Sequence, residues 1–162
     1  MFSKFRPDIE AKSVYDIDFN GLFEEGIRGI IFDIDNTLVA HDAPCNEKSD
    51  ELVSKLLEKG FKIFILSNNN EDRVKLFIQN IKLDYVHKAG KPSAKNYTVA
   101  LNKMGIKKEE AVAVGDQLFT DCAGAKNAGI KFIKVGIIDR KEPPHIKLKR
   151  ILEKPVEALT KL

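Results

Sequence analysis

The chain has 162 residues, enough for one domain with a single sizeable core. Its 43% hydrophobic and 31% charged content fits a soluble globular protein, and a formal net charge of +3 argues against nucleic acid as a partner. No run of about 18 apolar residues is present to span a bilayer. The opening residues, Met-Phe-Ser-Lys-Phe-Arg-Pro-Asp, lack the apolar centre of a signal peptide. Cys45 and Cys122 form neither a metal spacing nor a disulfide framework, so they read as buried thiols in a reducing cytoplasm.

Residues 1–26 carry apolar side chains without a clean period. Within them, Asp18 is placed to cap a short helix through Phe23, with Gly26 ending it. Ile27 to Phe32 reads as the first strand, apolar on both faces as a central parallel strand should be. A polar connection, Ala40 to Asn46, leads into a helix over Lys48–Lys59, whose Leu52, Val53, Leu56 and Leu57 make one stripe. Phe61–Leu66 is a second buried strand. Asn68-Asn69-Asn70 followed by Glu71-Asp72 starts a helix with Val74, Phe77, Ile78 and Ile81 inward.

Tyr85-Val86-His87 is a short strand, and Pro92 suits the first turn of a helix through Met104 that turns Val99, Ala100 and Met104 inward. Ala111–Val114 is a strand, Cys122–Ala128 a small-residue helix, and Ile130–Val135 the last strand. Alternating strands and helices predict an α/β fold, a three-layer mostly parallel sheet with right-handed crossovers. The expected organisation is a single domain over 1–162. Its core runs from about 27 to 135, with the N-terminal segment 1–26 and a basic tail, 140–162, packed on it. From Arg140 to Lys161 the tail holds seven basic and three acidic residues; Pro143-Pro144 and Pro155 predict one or two short helices.

Four stretches fall directly after buried strands. The first is Asp33-Ile-Asp35-Asn-Thr37, two carboxylates one residue apart. The second is Ser67, whose hydroxyl and following amide, that of Asn68, can hold an anion. The third is Lys91, a point charge suited to phosphate. The fourth is Gly115-Asp116 with Asp121 five residues on. Ligands of open α/β sheets bind at the carboxyl ends of the strands. Carboxylates gathered there repel unless a cation neutralises them, and oxygen-only ligands favour Mg²⁺. Asp33 can then attack a phosphorus and form an aspartyl phosphate, with Lys91 and the metal offsetting the charge. Asp35 protonates the leaving oxygen and later takes a proton from water.

Taken singly, each stretch has an ordinary explanation: Asp33 and Asp35 as turn or cap residues, Ser67 as a helix cap, Lys91 as a solvated lysine, Gly115-Asp116 as a common turn. Their shared placement favours function. His41, His87 and His145 share no ligand spacing and read as scattered, and Cys122 reads as core. Phe2 and Phe5 read as local packing rather than a membrane anchor, and the basic tail as a solvated helix face.

These residues resemble the four motifs of the haloacid-dehalogenase-like phosphohydrolases, from about Gly29 to Val135. The longer pattern, with Tyr15-Asp-Ile-Asp18, Ser67-Asn-Asn, Lys91-Pro92 and Gly115-Asp-Gln-Leu-x-Thr-Asp121, is similar to the YqeG-type branch of subclass IIIA. That branch is in turn similar to the phosphatidylglycerophosphate phosphatases. The resemblance implies a phosphatase with Asp33 as nucleophile, Asp35 as acid/base, and Mg²⁺ on Asp33, the Asp35 carbonyl and Asp116. Asp121 and Thr37 would support them. About 20 residues separate Val39 from Phe61, leaving no room for a cap domain. An open site suits a bulky or membrane-bound phosphate ester. The expected substrate is a lipid phosphate such as phosphatidylglycerophosphate. Nucleotides, sugar phosphates and phosphoproteins stay open, as does a non-catalytic binding protein that keeps the fold. The expected location is the cytoplasm; peripheral contact at the inner membrane face through the basic tail and Phe2, Lys4, Phe5 and Arg6 stays open beside the packing and solvated-face readings. Oligomeric state and strand order are not readable.

Overall fold

Ile30, Ile31 and Phe32 are apolar in succession, and each is almost completely enclosed. That is possible only for a strand covered on both faces. They belong to β2 (Gly29–Phe32), one of six strands in a computed structural model that describes residues 2–161. The others are β1 (Ile9–Ala11), β3 (Lys62–Leu66), β4 (Asp84–Val86), β5 (Ala111–Gly115) and β6 (Lys131–Val135). All pair in parallel, in the order β1-β6-β5-β2-β3-β4.

The alternation of β2 splits the core in two. Ile30 and Phe32 pack with Phe19, Leu22, Val53, Leu56, Val74 and Phe77. These come from α1 (Phe19–Glu24), α2 (Glu47–Lys59) and α3 (Glu71–Phe77). Ile31 packs on the other face with Tyr97, Ala100, Leu101 and Met104 of α4 (Lys95–Met104) and Ala125 of α5 (Ala123–Asn127). Burying each large aliphatic or aromatic side chain contributes about 1.5–3 kcal/mol. The helix ends follow local chemistry. Asp18 accepts from the Gly21 N–H at 2.9 Å, Asn46 from Ser49 at 2.8 Å and Asn70 from Arg73 at 2.9 Å. Gly60 and Gly105 close α2 and α4 in the left-handed region.

Register places the site. Phe32 of β2 is aligned with Ile65 of β3 on one side and Val114 of β5 on the other. The chain proceeds outward from β2 through β3 to β4, then returns to β5 on the opposite side. The switch point therefore lies between β2 and β5, where a crevice opens outside the strand ends. Asp33 and Asp116 sit there, one residue beyond β2 and β5, with Ser67 just past β3.

Several boundaries differ from the sequence reading. The N-terminal segment supplies β1, an edge strand beside β6 that is too short to show a period. The strand expected from Ile27 begins at Gly29, and α3 stops at Phe77, so Ile78 and Ile81 pack on the core from the following turn. Helix α4 begins at Lys95, leaving Pro92 in the preceding turn, and Tyr97 rather than Val99 is buried. The expected helix from Cys122 is entered through a wider π-type turn, Leu118–Cys122. The tail forms one helix, α6 (Pro144–Thr160), which runs through Pro155. Pro155 is exposed, so water can take the carbonyl its missing N–H leaves unpaired. No described helix is long and apolar enough to cross a membrane.

An interior proline still costs a helix about 3 kcal/mol relative to alanine. Pro155→Ala is therefore expected to stabilise the protein by about 1–3 kcal/mol, a rise of a few degrees in melting temperature by calorimetry. An unchanged or lower melting temperature would show that α6 does not depend on continuous hydrogen bonding across this turn.

Candidate functional site

After Phe32 the chain turns sharply. The Thr37 and Leu38 N–H groups donate to the Ile34 carbonyl at 3.1 and 3.0 Å, and Asn36 sits at φ 57°, a conformation asparagine tolerates. The turn brings the Thr37 hydroxyl to 3.2 Å from Asp33 Oδ2 and 3.4 Å from Asp116 Oδ1. Asp33 is anchored through its own N–H to the Val114 carbonyl at 3.0 Å.

Lys91 is buried. Its ammonium donates to Asp33 Oδ1 at 3.0 Å and Asp121 Oδ1 at 2.6 Å. The other oxygen of Asp121 accepts from the backbone N–H groups of Asp116 and Gln117, both at 3.2 Å. Asp121 is thus fully engaged in holding the lysine and the loop after β5. Gly115 makes room for it, since a Cβ there would lie 2.5 Å from Asp121 Oδ2. Asn68 clamps Lys91 from the β3 side, accepting from its N–H at 2.8 Å and donating to its carbonyl at 3.1 Å. Ser67 is buried, its hydroxyl accepting from the Asn69 N–H at 3.1 Å. In this arrangement the Asn68 side chain serves the Lys91 loop.

Asp35 projects to the other side of the turn. Its Oδ1 accepts from Arg73 Nε at 3.0 Å and the Asp42 N–H at 2.8 Å, with His41 Nδ1 at 3.8 Å. All these contacts fall on Oδ1, so Oδ2 is the oxygen left for exchange with a ligand. Arg73 is buried; its Nη2 lies 3.0 Å from the same oxygen, and neither Nη atom finds a hydrogen-bond partner among the described residues.

Asp116 is completed by the tail. Arg150 of α6 reaches Asp116 Oδ2 and also grips Glu142, which in turn accepts from Asn36 Nδ2 at 2.7 Å. Asn36 Oδ1 accepts from the Asp139 N–H at 2.9 Å. The turn after β2, the loop after β6 and α6 are therefore tied together behind the carboxylates. Sequence reasoning missed Arg73, Glu142 and Arg150. Arg73 left one trace: a cation in the first turn of a helix opposes the helix dipole and needs a reason to be there. Arg150 is one of several basic residues in the tail and carried no signal.

Burial raises the pKa of Asp33 well above the carboxylate range. Asp121, Asp116 and Asp35 push the same way, and only Lys91 opposes them. Asp116 is pushed up to about 6 by burial and Asp121, against the pull of Arg150. Burial works against the charge on Lys91, but the Asp121 and Asp33 carboxylates outweigh it and hold the ammonium. Five carboxyl groups, Asp33, Asp35, Asp116, Asp121 and Glu142, face three cations, Lys91, Arg73 and Arg150, an excess of two acids. Oxygens of Asp33, Asp116 and Asp121 lie within 4.8 Å of one another. A hard divalent cation fits this donor set in charge and ligand type. Asp33 and Asp116 would hold it, because Asp121 is spent on Lys91.

The carboxylates open into a cavity of about 500 Å³. Ser67, Asn68, Lys91, Gln117 and Thr120 line it. His41 and Asp42 form one rim, and His145, Ile146 and Lys149 of α6 form the other. His41 and His145, scattered in sequence, thus come to face the same cavity. No inserted domain covers it among the described residues, but the start of α6 walls one side.

A carboxylate charge-paired to a buried lysine at the switch point of a parallel sheet stands where α/β proteins bind their ligands. The family profile for haloacid dehalogenase-like hydrolases matches residues 39–129. The chain is 41% identical over 132 residues to the probable phosphatase YqeG of Bacillus subtilis, covering 81% of this chain and 77% of that protein. Among solved structures it resembles a protein of Listeria monocytogenes serotype 4b with a TM-score of 0.56 and 23% identity, covering 72% of this chain and 85% of that one. It likewise resembles the cobalt-bound deoxy-D-mannose-octulosonate 8-phosphate phosphatase of Haemophilus influenzae, with a TM-score of 0.56, 14% identity, and coverage of 77% and 75%. Both structural likenesses concern the fold. The chain belongs to the haloacid dehalogenase-like hydrolase family.

Because the folded-state pKa values of Asp33 and Asp116 are raised, the protonated acids favour the fold at low pH. That contribution is lost as pH rises through the folded values, about 6 for Asp116. In chelator, melting temperature is expected to fall between pH 5 and 8, and to fall less in Asp33→Asn. A profile identical in the two proteins would contradict this account of the charge. Arg150→Gln removes the cation between two buried acids and should destabilise the chelated protein by about 1–3 kcal/mol, the cost of leaving buried acceptors unsatisfied. Added divalent cation should restore part of the loss by replacing the charge beside Asp116. No loss, or no restoration, in calorimetry would count against the link.

Proposed function

We propose that the chain is a Mg²⁺-dependent phosphatase that hydrolyses phosphomonoesters through a phospho-Asp33 intermediate, with a lipid phosphate as substrate class. The observation that carries the chemistry is the Asp33 carboxylate lining the cavity, bonded to Lys91 and crowded by Asp116 and Asp121. Asp33 and Asp116, with the Asp35 carbonyl, are the ligands proposed for Mg²⁺, which would supply positive charge to the site and to a phosphoryl oxygen.

Every other part is done by the chain. The Ser67 hydroxyl, the backbone N–H after it and the Lys91 ammonium hold the phosphoryl oxygens. Asp33 attacks phosphorus in line, and the bond from phosphorus to the ester oxygen breaks as a phospho-aspartyl bond forms. Asp35 protonates the departing alkoxide through Oδ2. It then takes a proton from water, which attacks the phospho-aspartyl phosphorus and releases phosphate and Asp33. Arg73 and the Asp42 N–H hold Asp35 by its other oxygen, so that the proton-bearing atom faces the cavity. Asp121 keeps Lys91 charged and in place.

The lipid reading rests on the absence of an inserted domain and on the basic wall of the cavity. Lys149 and His145 can meet an anionic headgroup while the rest of the substrate stays outside. Peripheral contact with an anionic membrane, from the cytoplasmic side, belongs to the same reading. The Phe5 side chain is no part of it, since it packs edge-on against Phe119 with ring centres 5.3 Å apart.

The test is phosphate release with and without Mg²⁺ from an aryl phosphate and from a panel of lipid phosphates, nucleotides and phosphopeptides. Asp33→Asn should lower kcat by more than about 10³-fold. Activity retained in Asp33→Asn would refute the nucleophile. A lipid ester turned over no faster than soluble esters would refute the substrate class and leave the chemistry standing.

A further inference from the structure

Helix α6 is built inside out. Along its 17 residues, roughly 26 Å, the side turned to the protein is charged. Arg150 reaches Asp116 and Glu142, Glu153 accepts from the Phe119 N–H at 2.8 Å, and Glu157 pairs with Lys134 at 3.0 Å. The side turned to solvent is aliphatic. Leu148, Ile151, Leu152 and Leu159 are 57%, 60%, 55% and 50% exposed. Their spacing of three, four and seven residues sets them on one stripe, which Pro155 and Ala158, both exposed, extend without a polar side chain. A helix held only by its packing would turn these residues inward. Here polar bonds fix its rotation, so the apolar stripe is kept outward.

We infer that the outward face of α6 is a docking surface for an anionic lipid bilayer. The inference rests on the proposed lipid-phosphate reading for its purpose, but its evidence is separate. Lys147 and Lys154 are exposed on one flank of the stripe, Lys149 stands on the other, and Arg140 and Lys141 are exposed just before the helix. The two acids of the helix, Glu153 and Glu157, are both engaged on the inner side. The outer face therefore offers aliphatic side chains between cations and no carboxylate, the pattern of a helix lying in the headgroup boundary. A second copy of this chain would bring lysines against lysines. A protein partner would meet a stripe with no hydrogen-bonding side chain, whereas protein interfaces carry about one hydrogen bond per 100–200 Å². The start of the helix also borders the site: Lys149 on the flank of the stripe, and His145 and Ile146 in the first turn, line the cavity. A bilayer seated on α6 would lie beside the cavity mouth.

The test is co-sedimentation of the full chain with vesicles at about 0.1 M salt, where the Debye length is about 10 Å. The vesicles are either phosphatidylcholine alone or phosphatidylcholine with phosphatidylglycerol, so no phosphomonoester lipid is present. Binding is expected only to the mixed vesicles. Ile151→Glu with Leu152→Glu should weaken it at least ten-fold, and Lys147→Glu with Lys154→Glu should weaken it and reduce its salt dependence. Aryl phosphate hydrolysis should be unchanged in both variants. Failure of the native chain to bind, or equal binding by the Ile151/Leu152 variant, would overturn the inference. So would a dimer in sedimentation velocity that the same substitutions dissociate. Binding without turnover of lipid phosphates would refute the substrate reading alone.

Discussion

The structure depends on how carboxylates can be gathered at one strand edge without tearing it open. Asp33, Asp116 and Asp121 meet within a few ångströms where the parallel sheet switches direction, and burial makes each negative charge expensive. Two strategies are visible. Lys91 is drawn into the interior and shared between Asp33 and Asp121, so both burials are offset by one cation. Asp116 has no such neighbour within the sheet and is met from outside, by an arginine on the last helix. The excess of carboxyl groups, with the raised pKa of Asp33, is what a divalent cation would relieve. The crowding of these acids and their fitness to hold such an ion have the same physical origin.

That division of labour gives the tail a role beyond packing. The chain from Asp139 to Arg150 returns to the first loop of the site through Asn36 and Glu142 and to the third carboxylate through Arg150. Glu142 is nearly buried and would be costly alone; between Asn36 and Arg150 it is fully bonded. The first turn of α6 forms one wall of the cavity. In a family fold without an inserted cap among the described residues, selectivity at the rim would then fall to this helix and to His41 and Asp42.

Most of the sheet and the order of the chemical residues were legible in the sequence because both follow short-range rules. Ile30-Ile31-Phe32 could only be a two-sided strand, and Asp33 directly after it could only lie at the strand's end. Ser67 and Asp116 followed from the same logic applied to β3 and β5. Three things were not legible. Strand β1 spans three residues, two of them exposed, and is held by pairing with β6 and by Asp8 bonds to Phe132 rather than by its own pattern. Arg150 and Glu142 act over separations of 34 and 106 residues from their partners Asp116 and Asn36, and no local signal encodes such pairs. The uninterrupted α6 ran against the usual force of Pro155, because that residue faces solvent and the helix is fixed by polar bonds elsewhere along it.

The same polar bonds explain why α6 and the carboxylate cluster cannot be independent. Rotating the helix to bury Leu148, Ile151 and Leu152 would withdraw Arg150 from Asp116 and Glu142, and Glu153 from the Phe119 N–H. Each withdrawal leaves a buried polar group without its partner, at about 1–3 kcal/mol or more for a charge. Burying the stripe would return about 1.5–3 kcal/mol for each side chain fully covered. The two sums are comparable, so the observed rotation depends on the partners of Arg150 and Glu153 staying in place behind the helix. Any surface that then covers the outward stripe adds the apolar term without surrendering the polar one.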